Sequence, residues 1–465
     1  MTAAARVVVI GGGPGGYEGA LVAAQLGAAV TIVERDGLGG AAVLTDVVPS
    51  KTLIATAEVM TQLAGADQLG LRLPFLTGHD RAIVDLAAVN QRVRTLAQAQ
   101  SADIHRRLEA EGVEIVEGSG ALDGPGHVVV TRPDGSSSRL EADTVLLAVG
   151  ARPRTLAEAM PDGERILSWT QLYQLDELPT RLVVVGSGVT GAEFASAYDA
   201  LGCEVVLVSS RDRVLPGEDA DAAQVIEDVF VRRGMQVLSR SRAASVNRTA
   251  TGVAVRLADG RVVEGSHALL AVGSIPSTSG LGLETAGVRT GDSGHITVDR
   301  VSRTTTRGVY AAGDCTGVYA LASVAAMQGR IAMWHSLGDA VSPLDLRTVG
   351  ATIFTAPEIA TVGWSQAQVE AGEVRARSVK LALATNARAK MQGFTDGFVK
   401  LFCGTRSEEV IGGVVVAPRA SELIFPVTLA VANRLTVDDV AQAFSVYPSM
   451  SGSIAEAARR LHAPT

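Results

Sequence analysis

The sequence predicts an α/β fold with two parallel-sheet domains of the same construction, followed by an α+β C-terminal domain. A buried strand, a glycine-rich turn, a helix and a second buried strand follow one another at residues 7–33. The same order returns at residues 182–208. After about residue 346 the chain changes character, because strand-like runs at 398–402 and 410–416 flank a polar turn and helices follow.

The composition is that of a folded, multidomain chain. Its 465 residues allow two to four domains at about 100–200 residues each. Glycine contributes 50 residues and proline only 16, which indicates tight turns rather than disorder. The formal net charge is −8 without a basic stripe, which argues against a nucleic-acid partner. No apolar run reaches the roughly 18–20 residues that span a bilayer and no signal peptide precedes the first strand, so we expect a cytoplasmic protein without stable membrane insertion.

Cysteine, histidine and lysine are all sparse. Cys203, Cys315 and Cys403 form no CxxC or CxxxxC pair, which excludes a local redox dithiol. The seven histidines form no pair at helical ligand spacing, so we expect no metal site. Only four of the 41 basic residues are lysines, and Lys51 is the only one in the first 379 positions. An ammonium is a compact charge whose pKa responds to its surroundings, which makes this lysine a candidate functional residue.

The elements of the first unit follow from their apolar patterns. The continuous apolar runs at 7–10 and 29–33 predict buried parallel strands, with a helix at 17–27 between them. Residues 85–111 carry apolar side chains at near-helical spacing and predict one long amphipathic helix. Gly112 follows as its C-terminal stop.

The first turn carries the GxGxxG pattern of a dinucleotide site, at Gly11, Gly13 and Gly16. These glycines permit a tight turn, close approach of a pyrophosphate and close helix–strand packing, and the helix N-terminus favours the phosphate charge. Glu34 follows the second strand, where a carboxylate can accept hydrogen bonds from an adenosine ribose. The other candidate contacts of this turn are Gly12, Pro14 and Gly15. A glycine turn with a structural role alone is the alternative.

The second unit repeats the pattern at Gly186, Gly188 and Gly191, but its second strand is followed by Ser209 instead of an acid. Without a carboxylate to repel a 2′-phosphate, and with Arg211 and Arg213 close in sequence, we expect NADPH to be accepted. The alternative is that these arginines are surface residues without a ligand. The choice between NADH and NADPH therefore stays open.

Each unit ends in a similar way. Residues 128–147 predict a hairpin through Pro-Asp-Gly that leads to an apolar run and Gly150. Residues 253–272 repeat this arrangement through Asp-Gly and end at Gly273. The repetition of turn, helix and hairpin predicts two separate nucleotide-binding domains.

Five motifs together resemble, in the same order, those of the flavoprotein disulfide reductases, such as lipoamide dehydrogenase and glutathione reductase. They are the first GxGxxG motif, Gly39-Gly40, Pro49-Ser50-Lys51, Gly308–Asp314 and Phe354–Glu358. The resemblance covers essentially the whole chain and implies two Rossmann-like dinucleotide-binding domains, for FAD and NAD(P)H, plus an α+β dimerisation domain. The implied parts are an FAD domain at 1–150 and 276–345, an NAD(P)H domain at 151–275 and a homodimer interface domain at 346–465.

The resemblance also implies roles for individual residues. The residue matching Lys51 lies near flavin N5 and pairs with the one matching Glu193, while the residue matching Asp314 binds the ribityl chain. The Lys51 charge would stabilise the anionic reduced flavin, and Glu193 would hold that lysine beside the nicotinamide. A purely structural ion pair is the alternative. The further cofactor contacts that the resemblance implies are Gly40, Ala42, Gly120, Gly150, Ala322 and Gly273.

The sequence departs from this family where the disulfide chemistry occurs. Ala42 and Val47 occupy the two cysteine positions before Pro-Ser-Lys. The C-terminal base motif His-Pro-Thr-x-x-Glu is matched by a stretch in which Tyr447 replaces the histidine and Gly452 replaces the glutamate. Thiol–disulfide exchange needs a thiolate nucleophile, so we expect no disulfide reductase activity.

The motifs for hydride transfer from NAD(P)H to the flavin are present, but the dithiol that would accept the electrons in this family is absent. Ala42 and Val47 would leave a small apolar space that suits a flat acceptor such as a quinone. The segment resembles the cysteine-free, lipoamide dehydrogenase-like NAD(P)H quinone reductases, so the leading hypothesis is an FAD-dependent NAD(P)H dehydrogenase (quinone). Tyr447 of the partner subunit would donate a hydrogen bond or a proton to the quinone, with a packing tyrosine as the alternative. The other hypotheses are a pyridine nucleotide transhydrogenase and a non-enzymatic flavin redox sensor or scaffold.

Overall fold

The computed structural model describes residues 4–71 and 83–462, and its mixture of helices and parallel sheets confirms the predicted α/β fold. Its strands, numbered along the chain, are β1 (Arg6–Ile10), β2 (Ala29–Glu34), β3 (Glu114–Glu117), β4 (Ser119–Leu122), β5 (His127–Thr131), β6 (Ser137–Glu141), β7 (Thr144–Leu147), β8 (Ala151–Pro153), β9 (Ile166–Ser168), β10 (Arg181–Val185), β11 (Glu204–Val208), β12 (Gln236–Leu238), β13 (Ala243–Arg248), β14 (Val253–Leu257), β15 (Val262–Gly265), β16 (His267–Leu270), β17 (Ser274–Pro276), β18 (Val309–Ala311), β19 (Ala351–Ile353), β20 (Glu358–Gly363), β21 (Ala376–Ala382), β22 (Phe398–Gly404) and β23 (Val410–Ala417).

The α-helices are numbered in the same way. They are α1 (Pro14–Gln25), α2 (Gly40–Leu44), α3 (Val47–Ala64), α4 (Leu86–Ala110), α5 (Val189–Ala200), α6 (Ala220–Arg232), α7 (Ala322–Ser336), α8 (Gln366–Glu370), α9 (Ala387–Met391), α10 (Ala420–Leu423), α11 (Phe425–Ala432), α12 (Val437–Gln442) and α13 (Gly452–Leu461). Within the described ranges, none of these helices is both long enough and apolar enough to cross a membrane.

The described residues cluster into two compact units. The first unit contains the residues up to Thr52 together with Asn90–Arg154 and Gly273–Asp345. Its parallel sheet has the strand order β18-β7-β1-β2-β3. The central strand β1 is flanked by β2 and β7, so that Val8 lies beside Thr31 and Val145.

Alternate side chains of β1 enter two different cores because successive residues of a strand point to opposite faces. Val7 and Val9 pack with the helices α1, α4 and α7 on one face. Val8 and Ile10 pack on the other face with residues of β5, a strand of the antiparallel sheet β4-β5-β6. Burial on both faces explains why this strand is an uninterrupted apolar run.

The second unit contains the described parts of Leu53–Val89 and Leu346–Thr465, together with Thr155–Val272. Its parallel sheet has the order β12-β11-β10-β16-β9, and the three-stranded antiparallel sheet β13-β14-β15 packs in the same core. A five-stranded antiparallel sheet, β19-β20-β23-β22-β21, packs against the C-terminal helices.

Several element predictions are confirmed and others need correction. The long helix α4 matches the prediction for 85–111, and Gly112 follows it with a left-handed φ of 74°. The first helix was expected at 17–27 but begins at Pro14 and ends at Gln25, because proline at the first turn has a pre-set helical φ and lacks only an N–H that would be unpaired there. The strands β22 and β23 confirm the runs at 398–402 and 410–416, whereas β19–β21 were not anticipated. The domain boundaries stay predictions.

Candidate dinucleotide sites

The first glycine turn joins β1 to α1. At two of its three motif glycines the backbone leaves no room for a side chain. Gly11 has a left-handed φ of 100°, and a Cβ there would lie 2.4 Å from the carbonyl oxygen of Ala148. A Cβ on Gly16 would lie 1.9 Å from the carbonyl oxygen of Gly11. At Gly13, by contrast, the Cβ position has no atom within 4 Å. The middle glycine therefore leaves open the space through which a pyrophosphate would approach the backbone at the helix N-terminus.

Glu34 ends β2 beside this turn and is held by backbone amides. The Gly12 N–H donates to its Oε2 at 2.6 Å, and the N–H groups of Arg35 and Asp36 donate to its Oε1 at 2.8 and 2.7 Å. A Cβ on Gly12 would lie 3.1 Å from the Glu34 Oε2 and 2.8 Å from the Cδ2 of Leu38. Glycine at position 12 thus leaves room for the fixed carboxylate that the sequence predicts as a ribose acceptor.

Helix α2 begins in direct contact with the same turn. The Gly39 N–H donates to the carbonyl oxygen of Gly12 at 2.8 Å, and a Cβ on Gly40 would lie 2.9 Å from the Cα of Gly13. The half-buried Ala42 is the third residue of α2, the helix that packs on this turn. The first of the two substituted cysteine positions therefore lies in the helix that packs on the first glycine turn.

The next helix, α3, carries the second cysteine position and the candidate lysine. Val47 is the first residue of α3 and is 38% exposed. Lys51 follows four residues later and is half-buried. Residues four apart share one face of a helix, so the apolar side chain and the ammonium lie on the same face of α3.

Asp314 opens a short 3₁₀ turn, Asp314–Thr316, that follows β18. Gln328 of α7, which is 1% exposed, fixes both ends of this turn. Its Oε1 accepts from the Gly313 N–H at 2.9 Å, and its Nε2 donates to the Thr316 Oγ1 at 3.4 Å. Burial raises the pKa of the Asp314 carboxyl, and a nearby His295 partly opposes this effect. The turn that carries Asp314 is thus fixed on both sides and its carboxyl is partly desolvated, while the ribityl contact stays a prediction.

The other predicted contacts in the first unit are backbone positions. Gly120 packs on Ile10, since a Cβ there would lie 3.0 Å from the Ile10 Cγ2. Gly150 and Gly273 have left-handed φ values of 62° and 91° and open space at their Cβ positions. Ala322 is the half-buried first residue of α7.

The second glycine turn, between β10 and α5, reproduces the first. Gly186 has a left-handed φ of 114°, and its Cβ would lie 2.2 Å from the carbonyl oxygen of Ala271. A Cβ on Gly191 would lie 1.9 Å from the carbonyl oxygen of Gly186, while that of Gly188 meets nothing within 4 Å. In the second turn, as in the first, a Cβ on the first or third glycine would collide with a carbonyl oxygen, whereas the middle glycine has free space at its Cβ position.

Ser209 takes the place of Glu34 in this second turn. The register pairs Val185 with Val208, as it pairs Ile10 with Val33, so the next residues, Ser209 and Glu34, correspond. The Ser209 hydroxyl lies 2.7 Å from the hydroxyl of Ser187, and both residues are buried. The Arg211 N–H donates to the Ser209 Oγ at 3.1 Å. The predicted contact Arg211 is itself exposed at the edge of this turn.

Glu193 lies on α5 and is 4% exposed. Its Oε1 accepts from the Phe354 N–H at 2.9 Å, and the hydroxyl of Ser196, on the next turn of the helix, accepts from the Ala356 N–H at 3.1 Å. The Phe354–Glu358 motif is thus bound through its backbone to the helix that follows the second glycine turn. The first contact holds the Glu193 carboxylate, and the second holds the chain at Ala356.

Tyr447 lies in an exposed segment of the second unit. Its side chain is 86% exposed, and Phe444 and Val446 are also largely exposed. The Asn386 Nδ2 donates to the Ser449 carbonyl oxygen at 3.0 Å and anchors the chain just after the tyrosine. The segment thus presents apolar and aromatic side chains from a fixed backbone.

The three predicted catalytic residues are distributed over both units, with Lys51 in the first and Glu193 and Tyr447 in the second. Their proximity stays a prediction. Sequence reasoning missed Ser187 and Gln328. Ser187 stands at a variable position of GxGxxG, where comparison with Gly12 of the first motif was available as a signal. An amide in mid-helix, such as Gln328, gives no such signal.

The three cysteines are free and buried. Burial raises the pKa of the Cys203 and Cys315 thiols to about 12, which keeps them protonated at neutral pH. Within the described ranges, no group of three or more histidine, cysteine, aspartate or glutamate side chains could hold a metal ion.

Comparison with known proteins identifies the family. The family model described as pyridine nucleotide-disulphide oxidoreductase matches residues 5–329, and the model of that family's dimerisation domain matches residues 349–458. The chain is 57% identical to a Mycobacterium tuberculosis protein named NAD(P)H dehydrogenase (quinone), over 98% of this chain and 94% of that protein. It is 32% identical to the dihydrolipoyl dehydrogenase of Chlamydia pneumoniae, over 98% and 97% of the two chains.

A solved structure agrees with this similarity. The crystal structure of LpdA from Mycobacterium tuberculosis superposes with a TM-score of 0.94 at 56% identity, covering 99% of this chain and 100% of that one. The predicted resemblance is therefore confirmed. The chain belongs to the pyridine nucleotide-disulphide oxidoreductase family.

Proposed function

We propose that the chain is an FAD-dependent NAD(P)H:quinone oxidoreductase that works as a cytoplasmic homodimer and lacks disulfide reductase activity. The observation that carries the proposal is the pair of matching glycine turns in a chain whose family dithiol is replaced by Ala42 and Val47. The 57% identical relative bears the name NAD(P)H dehydrogenase (quinone), which supports the same activity here.

The first turn fits FAD. The open position at Gly13 leaves room for a pyrophosphate at the N-terminus of α1, and the fixed carboxylate of Glu34 would accept hydrogen bonds from the adenosine ribose. Asp314, held through Gln328, would bind the ribityl chain. These groups would hold the cofactor at three separated points along its length.

The second turn would take NAD(P)H in the same manner. The space at Gly188 admits the pyrophosphate, and the strand end carries Ser209 and Arg211 rather than a carboxylate. Glu193, fixed by the Phe354 N–H, would orient Lys51 beside the nicotinamide. The matched family model, described as pyridine nucleotide-disulphide oxidoreductase, supports the use of a pyridine nucleotide.

When bound, FAD supplies an isoalloxazine ring that accepts two electrons from NAD(P)H and passes them to an acceptor. The Lys51 ammonium would stabilise the negative charge that develops on that ring. Ala42 and Val47 would leave an apolar space for a flat quinone. Tyr447 of the partner subunit would donate a hydrogen bond from its hydroxyl to the quinone oxygen.

The exposed apolar segment with Phe444, Val446 and Tyr447 supports a homodimer, because a second copy would cover it. The match of residues 349–458 to the family's dimerisation domain supports the same assembly.

The proposal is tested by an anaerobic titration of the purified yellow protein with NADPH, and separately with NADH, followed by menadione. We expect one equivalent to bleach the flavin absorbance and menadione to restore it, without a thiolate-to-flavin charge-transfer band. If NADPH reduced an NAD⁺ analogue faster than any quinone, transhydrogenase activity would replace the proposal. If neither nucleotide bleached the flavin, a redox sensor or scaffold would replace it.

A further inference from the structure

We infer that Lys400 is a positioning residue for the second glycine turn, although it lies on β22 of the five-stranded antiparallel sheet. Its buried ammonium holds the start of α6, and α6 holds the loop that contacts Ser187 in that turn. All of these residues belong to the second unit. The inference rests on the proposed binding of NAD(P)H by the second turn, and it adds a residue on which that binding depends.

Two of the four lysines of the chain lie opposite each other in this sheet. Lys380 of β21 pairs in register with Lys400 of β22, so both side chains lie on the same face. The Lys400 side chain is 5% exposed, and its Nζ donates to the two carboxylate oxygens of Asp219 at 3.0 and 2.7 Å. It also lies 2.7 Å from the Oδ2 of Asp221, whose Oδ1 lies 2.8 Å from the Lys380 Nζ. A buried ammonium needs such partners, so Lys400 depends on these carboxylates.

Asp219 is at the same time the N-cap of α6. Its side chain is 2% exposed, and its Oδ1 accepts from the N–H groups of Asp221 and Ala222 at 3.0 and 3.2 Å. The carboxylate is therefore bound by the helix and by the Lys400 ammonium together. Removal of the ammonium alone would leave a buried carboxylate without its counter-ion, which is strongly unfavourable. Asp219 could then regain water only by moving together with the chain that precedes α6.

The chain that precedes α6 contacts the second glycine turn. The Leu215 N–H donates to the Ser187 carbonyl oxygen at 2.8 Å, and Leu215 has a left-handed φ of 51°. A non-glycine residue keeps such a backbone conformation only where its surroundings hold it. One such hold comes from α6, since Glu227 accepts from the Val214 N–H at 3.1 Å. The position of α6 thus determines whether Leu215 stays on the turn, and the buried ion pair fixes where α6 begins.

The test compares variants of the FAD-loaded protein by two readouts. Calorimetry measures the Kd of NADP⁺, and hydrogen exchange of the peptides covering 211–218 reports, without any nucleotide, whether this loop is held. Lys400→Met removes the ammonium. Lys400→Met/Asp219→Asn also removes the uncompensated carboxylate, while asparagine keeps the N-cap. Asp219→Ala breaks the same contact from the other side and decides the test if Lys400→Met does not fold.

Two control variants separate this role from a general loss of stability. Lys380→Met makes the same substitution at the opposite lysine, whose side chain is 48% exposed, and leaves Asp221 paired with Lys400. Leu401→Ala weakens the same strand at the next residue, which is fully buried and points to the opposite face of the sheet. It should lower the unfolding temperature, because it creates a cavity in the core, without changing the Kd of NADP⁺.

We expect Lys400→Met to raise the Kd of NADP⁺ about tenfold and to speed exchange in the loop, with the flavin absorbance unchanged. Asp219→Ala should change both readouts in the same direction. Lys400→Met/Asp219→Asn should return both to within about twofold of wild type, since replacing both charged partners costs far less than removing one.

The inference is overturned if either control raises the Kd as much as Lys400→Met, or if the double variant is no better than Lys400→Met. It is also overturned if neither Lys400→Met nor Asp219→Ala changes the exchange of the loop. Wild-type protein that bound no nucleotide would instead overturn the proposed function, and the exchange measurement would still decide whether Lys400 holds the loop.

Discussion

The two glycine turns have the same backbone and differ in the side chains that surround them. In both turns a Cβ on the first or third glycine would collide with a carbonyl oxygen, whereas the Cβ position of the middle glycine meets no atom. In the first turn Glu34 is held by the Gly12 N–H, whereas in the second Ser209 is held by the Ser187 hydroxyl. The glycines therefore leave the same free space in both turns, and the difference lies in the residue that follows the second strand, an acid in the first turn and a serine in the second.

Each turn is also contacted by a later segment of the chain, and the contacting residue differs between the two turns. The Gly39 N–H donates to the Gly12 carbonyl oxygen at 2.8 Å, and the Leu215 N–H donates to the Ser187 carbonyl oxygen at the same distance. Both donors have a left-handed φ, of 94° for Gly39 and 51° for Leu215. A non-glycine residue with a left-handed φ costs about 1–3 kcal/mol of conformational free energy, so the contact made by Leu215 is more strained than the contact made by Gly39. After Gly39 the chain enters α2 immediately, which packs on the first turn and suits a resident cofactor.

Blocking each middle glycine tests whether the two turns bind separate nucleotides. Because the Cβ positions of Gly13 and Gly188 meet no atom, Gly13→Val and Gly188→Val should fold and yet exclude a pyrophosphate. We expect Gly188→Val to keep FAD and to raise the Kd of NADPH more than about 100-fold. Gly13→Val should be purified without FAD. Flavin absorbance and nucleotide calorimetry measure the two effects.

A matched control for these variants is Gly291→Ala, since Gly291 also has open space at its Cβ position but lies outside both turns. It should retain FAD and the affinity for NADPH. Loss of FAD from Gly188→Val would contradict the assignment of one nucleotide to each turn.

A variant of Lys51, on α3, tests whether the first unit speeds flavin reduction in addition to binding FAD. Lys51→Met keeps the length and the apolar character of the side chain but removes the charge that we propose stabilises the reduced flavin. We expect the rate of flavin reduction by NADPH to fall about 100-fold, which is typical for the loss of one stabilising donor, with FAD still bound. Stopped-flow absorbance measures the rate. Lys390→Met, at an exposed lysine, should leave it unchanged, and an unchanged rate in Lys51→Met would exclude the electrostatic role.

Asp314 provides a smaller effect with a pH signature. Burial raises the pKa of this carboxyl, so in the FAD-free protein the folded state disfavours its ionised form. The resulting destabilisation is absent below the unfolded pKa and grows as the pH rises through the folded pKa. FAD-free Asp314→Asn should therefore unfold at a higher temperature than FAD-free wild type at pH 7.5, and the difference should shrink toward pH 4. Thermal unfolding at several pH values measures it.

The same variant should hold FAD less tightly, because an amide is a weaker acceptor for the ribityl hydroxyls than a carboxylate. We expect about a tenfold higher Kd, because a hydrogen bond to a charged group contributes roughly 1.5–3 kcal/mol and one to a neutral amide about 0.5–1.5 kcal/mol. Equal FAD affinity in the variant and the wild type would contradict the ribityl assignment.

Much of the fold could be predicted from the sequence because its strands are buried on both faces. The uninterrupted run at 7–10 could be only a buried strand or a short helix segment, and the glycines that follow it decide for the strand. The sequence pattern predicts the start of α1 three residues late, because Gly15 and Gly16 are typical of a turn although Pro14 already sets the helical φ. Strands such as β21, with an exposed face and mixed composition, carry a weaker signal.

The candidate sites were predictable where one residue type alone meets a requirement. Gly11 and Gly16 stand where any Cβ would meet a carbonyl oxygen, so the motif itself reveals them. Gln328 and the Phe354 N–H act through contacts between residues far apart in the chain, 15 residues to Gly313 and 161 to Glu193. Such partners depend on packing that local sequence patterns do not specify.

The smallest effect concerns chemistry that the first unit has lost. Val47→Cys restores one of the two cysteine positions on α3, but Ala42 stands at the other and Tyr447 at the base position. A lone thiol without a partner sulfur and a base forms no intramolecular disulfide and no stabilised thiolate, so lipoamide and glutathione disulfide reduction should stay at the background rate. A coupled NADPH oxidation assay measures it. Measurable disulfide reduction by this variant would show that the family chemistry needs less than the dithiol and its base.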